Sequence, residues 1–396
     1  MASKLKAPPS IPAQHADGRI RVIVRLGMPP LAAAFADGLA VGGTARKLDA
    51  NSSVSRRYLS RLQSMQKEAA REIHEAIPSA VVSRRFQVVL DGLTVKLPVR
   101  RLPDLAELSL VTKIYPSYAY RLALDESPGL IAAGTFWAST GLRGEGMKIA
   151  VVDDGVDNTH AFLAPTGMSY PPGFPKGGKR WTSPKVIVAR AFPGPSSGRQ
   201  GRLPLFREAS FHGTHVAGIA AGRSGTFSPG GADHPPVANL SGVAPNAWLG
   251  NYRVFNIPTR VGYTANTPEI VAAFEAAVRD GMDVINFSGG GTETDPANAA
   301  MIGTVRNVSA AGVVPVISAG NSRDDYGYGS IGSPGTAPDA ITVGASSNVH
   351  VFTPSVTVQD ARAPSALREM PFRTVLPVGA FRGWDTRDQT VVDIGS

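Results

Sequence analysis

One segment constrains the fold of this chain more than any other: residues 211–222, with the sequence FHGTHVAGIAAG. It places an imidazole, His212, ahead of a run of small and β-branched residues. This run predicts a helix with small side chains that is buried in a closely packed interior. A histidine at the start of such a helix can be held rigidly at the edge of a sheet, where a general base has to lie. Taken alone, the same histidine also fits a hydrogen-bonded core residue.

Two polar side chains follow apolar runs elsewhere in the chain. Asp153 comes directly after the run at residues 149–152, and Asn321 follows the run at residues 313–317. Such runs fit parallel strands buried on both faces, and functional groups collect at the carboxyl ends of these strands. A carboxylate that orients an imidazole, an imidazole that takes a proton, and a carboxamide that donates to an oxyanion together indicate hydrolysis.

The segments VVDDG, HGTHVAG, VINFSGGG and SAGN, in that order, resemble the subtilisin-like serine proteases over residues 128–345. The resemblance implies an endopeptidase acting on proteins or peptides, in which Asp153 orients His212, His212 is the general base and Asn321 completes the oxyanion hole. It also implies a primary specificity pocket lined by Ser288, Gly289 and Gly290. No cofactor is required for this chemistry. Structural calcium is common in the family, but no run of oxygen ligands locates such a site here.

The nucleophile of this family is a serine in a Gly-Thr-Ser-Met-Ala type of segment, and nothing after Asn321 reads that way. Ser330 and Ser333 match the loop and strand after the oxyanion residue, where we expect them to be structural. Ser365 follows a proline and suits a helix N-cap better than a nucleophile. We therefore expect this chain to be one piece of a longer protein, lacking its nucleophile and inactive alone.

The first part of the chain has a pattern of its own. Alternation predicts a half-buried strand at residues 19–26, and apolar residues at intervals of three or four predict a helix over 54–77. Two strands, 86–89 and 93–97, flank the hairpin signal Asp91-Gly92, and a short helix and a last strand follow at 101–108 and 111–115.

The order β-α-β-β-α-β is ferredoxin-like. It also resembles the inhibitory propeptide of the subtilisin family. That resemblance implies an intramolecular partner whose residues 118–122 occupy the substrate cleft, with a maturation cut between about residues 120 and 127.

We therefore predict an α/β fold with a parallel sheet and helices on both faces, preceded by a ferredoxin-like α+β propeptide domain. Its core elements would be strands at 183–192, 247–255 and 284–287, a helix capped by Thr267, and a helix opened by Asp295-Pro296. The predicted organisation is a disordered tail over 1–18, a propeptide-like domain over 19–122, an incomplete catalytic domain over 123–345, and a connection toward an absent inserted domain over 346–396.

Composition and charge exclude several other classes. The net charge of +9 resides in residues 1–122, which hold 19 basic against 9 acidic residues, whereas the remainder holds 21 against 22. Three arginine pairs of this region, Arg56-Arg57, Arg84-Arg85 and Arg100-Arg101, lie on segments with core periodicity. We interpret them as a solvated face and expect no nucleic-acid partner. No apolar run approaches the ~20 residues of a membrane span. There are no cysteines, and residues 1–18 show no signal peptide, although the family resemblance implies secretion.

Two alternatives remain open at this stage. A metal-dependent hydrolase would draw its ligands from the neighbouring histidines and carboxylates, namely His212, His215, Asp153, Asp154, Asp157 and His160. A non-catalytic pseudoenzyme or binding protein would lack the nucleophile even in the complete gene. In the serine-protease interpretation we assign the catalytic carboxylate to Asp153 and not to Asp154, because successive strand residues point to opposite sides.

Overall fold

A computed structural model describes residues 18–38, 47–116, 119–122, 131–229, 236–259, 262–291, 299–321, 329–345, 355–357 and 369–371. The helices are α1 (Leu31–Ala36), α2 (Ser53–Ala76), α3 (Leu102–Glu107), α4 (Ala133–Thr140), α5 (His212–Ala221), α6 (Thr267–Asp280) and α7 (Ala300–Ala310). The strands are β1 (Arg19–Arg25), β2 (Val81–Phe86), β3 (Gly92–Pro98), β4 (Lys113–Pro116), β5 (Ala119–Leu122), β6 (Lys148–Asp153), β7 (Lys176–Gly177), β8 (Val186–Ala191), β9 (Thr226–Ser228), β10 (Val237–Leu240), β11 (Trp248–Arg253), β12 (Ile257–Thr259), β13 (Gly262–Asn266), β14 (Val284–Phe287), β15 (Gly289–Gly290), β16 (Val314–Ser318), β17 (Ile341–Val343), β18 (Ser355–Thr357) and β19 (Glu369–Pro371).

The N-terminal region, residues 18–116 as far as they are described, has the expected ferredoxin-like topology. Its antiparallel sheet has the order β2-β3-β1-β4, and α2 and α3 pack on one face of it. α2 begins one residue earlier than the apolar period suggests, because the side chain of Ser52 accepts the N–H of Ser55 and caps the helix.

The predicted strand at residues 86–89 is wrong, because the strand of this hairpin is β2 and ends at Phe86. The backbone that follows has other partners. The amide of Gln87 donates to both carboxylate oxygens of Glu275 at 3.0 Å, and the carbonyls of Gln87 and Val88 accept the N–H groups of Leu31 and Ala32. These two carbonyls thereby accept backbone N–H groups at the start of α1 that have no partner within the helix. The sequence pattern did not predict this helix.

The prediction that β1 is half-buried is also wrong, because this strand is buried on both faces. Ile20, Val22 and Val24 face α2 and α3, as expected. On the other face Ile23 is fully buried, and Arg21 forms an ion pair with Glu269 of α6. The N-terminal region therefore packs on the rest of the chain through this second face.

This contact also corrects our interpretation of the arginine pairs. Arg56, Arg57, Arg85 and Arg100 are exposed, as expected of a solvated face. Arg84, in contrast, is partly buried, donates to the carbonyl of Pro193 at 2.8 Å and lies 3.5 Å from the carboxylate of Glu269. Part of the basic charge of the N-terminal region is therefore matched by an acidic face on α6.

Asp91 supplies a pH-dependent contribution to stability in this region. Its carboxylate is buried and accepts hydrogen bonds from Gln66 Nε2 at 2.9 Å and from the amide of Met28 at 3.1 Å. Burial raises its pKa to about 6, whereas the unfolded chain has a pKa of about 3.9. Between these values the folded protein holds a proton that the unfolded chain has released. The contribution of Asp91 to stability therefore falls as the pH rises through about 4 to 6.

We expect the Asp91→Asn variant to lose this contribution, so that its stability relative to the parent improves as the pH is raised from about 4 to 7. Urea unfolding of both proteins at several pH values measures the difference. Asp37→Asn, which removes an exposed carboxyl from the same region, controls for the change in net charge. A parent-to-variant difference that is constant with pH would contradict this assignment.

The remainder of the chain is built on a seven-stranded sheet of order β17-β16-β14-β6-β11-β8-β7, in which neighbouring strands are parallel. β8 and β11 lie within the ranges predicted for them, and β14 has the predicted bounds. α6 begins at Thr267, so its N-cap position is Asn266 and not Thr267 as predicted, and the side chain of Asn266 makes no capping hydrogen bond. α7 begins at Ala300. The predicted opening of α7 at Asp295-Pro296 falls outside the described residues.

Helices cover both faces of this sheet, as predicted. Val151 of β6 packs with α5, whereas its neighbours Ala150 and Val152 belong to the cluster that contains α6 and α7. The alternation of β6 thus assigns α5 to one face and α6 and α7 to the other. The cluster that contains α6 and α7 also contains Ile23, Phe86 and other side chains of the N-terminal region. The N-terminal region and the seven-stranded sheet therefore share one core.

The remaining strands form smaller sheets, one of four strands in the order β12-β13-β5-β15 and two of two strands each. The described residues divide into two compact units, one within Met1–Thr226 and Asn239–Ser347 and the other within Phe227–Ala238 and Asn348–Ser396. In the second unit β18 pairs antiparallel with β19, and most of the predicted connection over 346–396 lies outside the described residues. Among the helices described, none has the length and apolar character needed to cross a membrane.

Candidate active site

The candidate site is built at the carboxyl end of β6. Ala150, Val151 and Val152 are fully buried, and β6 lies between β11 and β14 in the sheet. The strand ends at Asp153, whose side chain is also fully buried. An apolar strand buried on both faces therefore delivers a carboxylate to the edge where ligands bind in open α/β sheets.

His212 is the first residue of α5 and contacts this carboxylate directly. Its Nδ1 lies 2.8 Å from Asp153 Oδ1, and the imidazole is 11% exposed. When Nδ1 carries the proton, it donates to the carboxylate and leaves Nε2 as the basic nitrogen. This is the geometry of a carboxylate that fixes the tautomer and orientation of a general base.

Burial dominates the electrostatics of the two adjacent carboxyls. It raises the pKa of Asp153, against the hydrogen bond from His212. Burial also raises the pKa of Asp154, and the charge of Asp153 raises it further, whereas the amides of Gly213 and His212 oppose the shift. The charge of Asp153 therefore makes Asp154 harder to ionise.

A cavity of about 370 Å³ lies on the α5 face of the sheet. Its lining includes Ser288, after β14, and Asn321, after β16. The other lining residues are mostly apolar, namely Val216, Ile219, Ala220, Val243, Asn286, Val316, Ile317, Ser318, Gly320, Val343, Gly344 and Ala345. Two of the residues assigned from sequence thus share one cavity with the helix that begins at His212.

Gly289 and Gly290, the remaining residues assigned to the pocket, form β15. They pair antiparallel with β5, Gly289 opposite Leu122 and Gly290 opposite Arg121. The other edge of β5 pairs with β13. An extended segment from the end of the N-terminal region therefore lies between β13 and β15, and β15 directly follows Ser288. Tyr118 and the predicted maturation site beyond residue 122 fall outside the described residues.

The serines considered as nucleophiles differ in their placement. Ser333 is buried, and its backbone exchanges two hydrogen bonds of 3.0 Å with Gly291. This pairing agrees with the structural role expected of it. Ser330 is partly buried in the same loop, and Ser365 lies outside the described residues.

The potential metal ligands have other partners. Asp157 Oδ1 accepts the amide of Thr159 at 2.9 Å, and His160 Nδ1 accepts the amide of Phe162 at 3.2 Å. Among the residues that the structure describes, no three histidine or acidic side chains are close enough together to hold a metal ion. The geometry therefore gives the metal-hydrolase alternative no support.

Asp154 has a contact that sequence reasoning missed. Its carboxylate accepts the backbone N–H groups of His212 and Gly213, at 3.1 and 2.7 Å. The alternation of side chains along a strand, on which the choice of Asp153 over Asp154 was based, does not extend to Asp154, because β6 ends one residue earlier. A signal was present in the sequence: the residue directly before α5 is Phe211, which cannot cap a helix with its side chain, so the cap has to come from elsewhere.

Comparison with known proteins agrees with the motifs. The sequence model of the Subtilase family, Peptidase_S8, matches residues 144–380. The minor extracellular protease Vpr of Bacillus subtilis is 31% identical over 303 residues, which cover 72% of this chain and 33% of that protein. The PIII-type proteinase of Lactococcus lactis subsp. cremoris is 28% identical over 315 residues, which cover 72% of this chain and 15% of that protein.

Among solved structures, fervidolysin from Fervidobacterium pennivorans, a keratinolytic enzyme related to subtilisin, aligns with a TM-score of 0.49. The alignment has 19% identity and covers 86% of this chain and 47% of fervidolysin. The chain spans a third or less of the length of the two curated relatives described above.

Proposed function

Because this chain belongs to the subtilase family of peptidases, we propose that it is the zymogen part of a secreted serine endopeptidase that hydrolyses peptide bonds in proteins. The contact that carries the proposal is the one between Asp153 and His212, at the carboxyl end of a buried parallel strand. Secretion is supported by the likeness to an extracellular protease of Bacillus subtilis.

In the proposed reaction Asp153 holds the Nδ1–H of His212, so that Nε2 accepts the proton of an attacking hydroxyl. The hydroxyl oxygen forms a bond to the scissile carbonyl carbon, and the carbonyl oxygen becomes the oxyanion to which the amide of Asn321 donates. The protonated imidazole then gives its proton to the leaving amine. The chemistry requires no cofactor.

We propose that the attacking hydroxyl belongs to a serine beyond residue 396. The relatives are at least three times longer than the part of them that this chain matches. The cavity beside α5 offers a place for such a segment, because its largely apolar lining would be buried by a packed helix. Residues 1–396 alone would then have little or no peptidase activity.

The N-terminal region is proposed to be the inhibitory propeptide. Its backbone leads into β5, which pairs with β13 on one side and with Gly289 and Gly290 on the other, as an extended peptide substrate would. Ser288 and these glycines would then border the pocket for the side chain before the scissile bond. Maturation would cut the chain between about residues 120 and 127.

Intact-mass measurement during incubation tests the proposal. We expect residues 1–396 to keep their mass, and a form extended past residue 396 with its native sequence to release a fragment cut between about residues 120 and 127. The extended form with His212→Ala should remain whole. Spontaneous release of that fragment from residues 1–396 would show that a nucleophile lies within them and would overturn its proposed location.

A further inference from the structure

The position of His212 depends on how the start of α5 is held. The first N–H groups of a helix have no partner within the helix. Phe211, the residue before α5, has φ −108° and ψ −32° and caps the helix with no side-chain hydrogen bond. The first turn of α5 therefore needs acceptors from another part of the chain.

Asp154 provides these acceptors from the end of β6. Its Oδ2 accepts the N–H of His212 at 3.1 Å, and its Oδ1 accepts the N–H of Gly213 at 2.7 Å. The residue is 2% exposed, so water does not compete for these bonds. His212 is thus held twice by consecutive residues: Asp153 binds its ring, and Asp154 binds its backbone.

The surrounding residues are shaped to permit this contact. A Cβ on Gly213 would lie 2.5 Å from the carbonyl oxygen of Gly155 and 3.0 Å from Asp154 Oδ1, so only glycine allows α5 to approach so closely. Ser210 is buried, and its Oγ donates to the carbonyl of Asp154 at 2.7 Å and accepts the amide of Phe206 at 3.0 Å. The segment before α5 is thereby fixed to Asp154 as well.

A buried positive charge complements the carboxylate. Arg253 of β11 is fully buried and is the parallel partner of Asp153 in the sheet. Its Nη1 donates to the carbonyls of Gln200 and Leu203 at 2.8 and 2.9 Å. Burial lowers the pKa of Arg253, and the charge of Asp154 opposes this shift, so the two charges interact favourably.

We propose that Asp154 is a positioning residue for the general base: by capping α5 it sets the distance and angle at which the ring of His212 meets Asp153. The inference rests on the proposed function, which makes His212 the base, and adds a second determinant of its geometry. A carboxylate that held only the ring would leave the backbone of His212 free to shift as the first turn frays.

Nuclear magnetic resonance of residues 1–396 tests the inference without any need for activity, so its outcome is separate from that of the self-cleavage experiment. Above neutral pH, we expect Asp154→Ala to speed hydrogen exchange of the His212 and Gly213 amides by about tenfold, the usual effect of losing a helix cap. The Nδ1–H signal of His212 should weaken or shift, because its hydrogen bond to Asp153 lengthens.

Asp154→Asn keeps the test valid if the alanine variant does not fold. Its single carbonyl oxygen can accept one of the two amides, so we expect an intermediate effect on the same signals. Asp280→Asn is the matched control. Asp280 is 5% exposed and accepts hydrogen bonds from Tyr252 and Arg190, away from the site. It should lower stability while leaving the His212 signals at their parental positions.

The inference is overturned if either Asp154 variant folds with parental exchange rates and a parental Nδ1–H signal for His212. It is equally overturned if Asp280→Asn changes these signals as much as the Asp154 variants do, because the effect would then report stability and not position.

Discussion

Replacing His212 by alanine is expected to lower kcat by about a million-fold in a form of this protein extended past residue 396, with the size of the loss taken from subtilisin. The reason is that Nε2 of His212 is the proposed acceptor of the nucleophile's proton, and among the residues that the structure describes no other imidazole is hydrogen-bonded to Asp153. Asp153→Asn should cost about ten-thousandfold, because the ring would keep its place but adopt the wrong tautomer. Steady-state kinetics on a peptide substrate measure both values.

His160→Ala is the control for these variants. His160 Nδ1 accepts the amide of Phe162 in a turn of the chain outside the proposed machinery. We expect its kcat to stay within about tenfold of the parent, since the only bond lost is local. The metal-hydrolase alternative predicts instead that His160→Ala is as damaging as His212→Ala, and that result would contradict our assignment.

The largest expected effect on stability comes from the ion pair that joins the N-terminal region to α6. Arg21 forms two hydrogen bonds with the carboxylate of Glu269, at 2.5 and 3.2 Å, and the two side chains are 6% and 0% exposed. We expect Arg21→Met to lower the free energy of unfolding by about 3–5 kcal/mol, because it leaves a buried carboxylate without its main counter-charge. Denaturant unfolding, followed by a spectroscopic probe, measures this change.

A double variant separates the penalty of an unpaired charge from lost packing. Arg21→Met combined with Glu269→Leu removes both charges, and it should recover much of the stability lost by Arg21→Met alone. Arg71→Met is the matched control, because Arg71 pairs with Glu68 and Glu75 on the exposed surface of α2. It should change stability little. Equal losses for Arg21→Met and Arg71→Met would contradict the importance given to the buried pair.

The fold was largely predictable wherever one periodic pattern extended over a whole element. β14 was predicted with its bounds, and α2 to within a residue at each end, because burial alone decides those patterns. The failures lie where two parts of the chain meet. Arg21, on the second face of β1, pairs with Glu269 of α6, and the amide of Gln87, after β2, donates to Glu275 of the same helix. No local pattern in the sequence predicts partners so distant along the chain.

In the candidate site, too, residue type and order were informative, whereas contacts between distant segments were not predicted. The motifs identified Asp153 and His212 because their residue types and order point to hydrolysis, and the structure places the two side chains in contact. They did not reveal the part played by Asp154, because strand alternation was applied one residue past the end of β6. The contact of Asp154 with α5 depends on tertiary packing, in which Gly213 allows the helix to approach.

Labelling with a serine-directed fluorophosphonate, followed by mass-spectrometric mapping of the modified residue, tests the central claim most directly. In the extended form we predict one modified serine beyond residue 396, with labelling that requires His212 and is unaffected by a chelator. Residues 1–396 alone should not be labelled. A label on Ser330, Ser333 or Ser365, or an activity that resists the reagent and is abolished by chelation, would contradict the account.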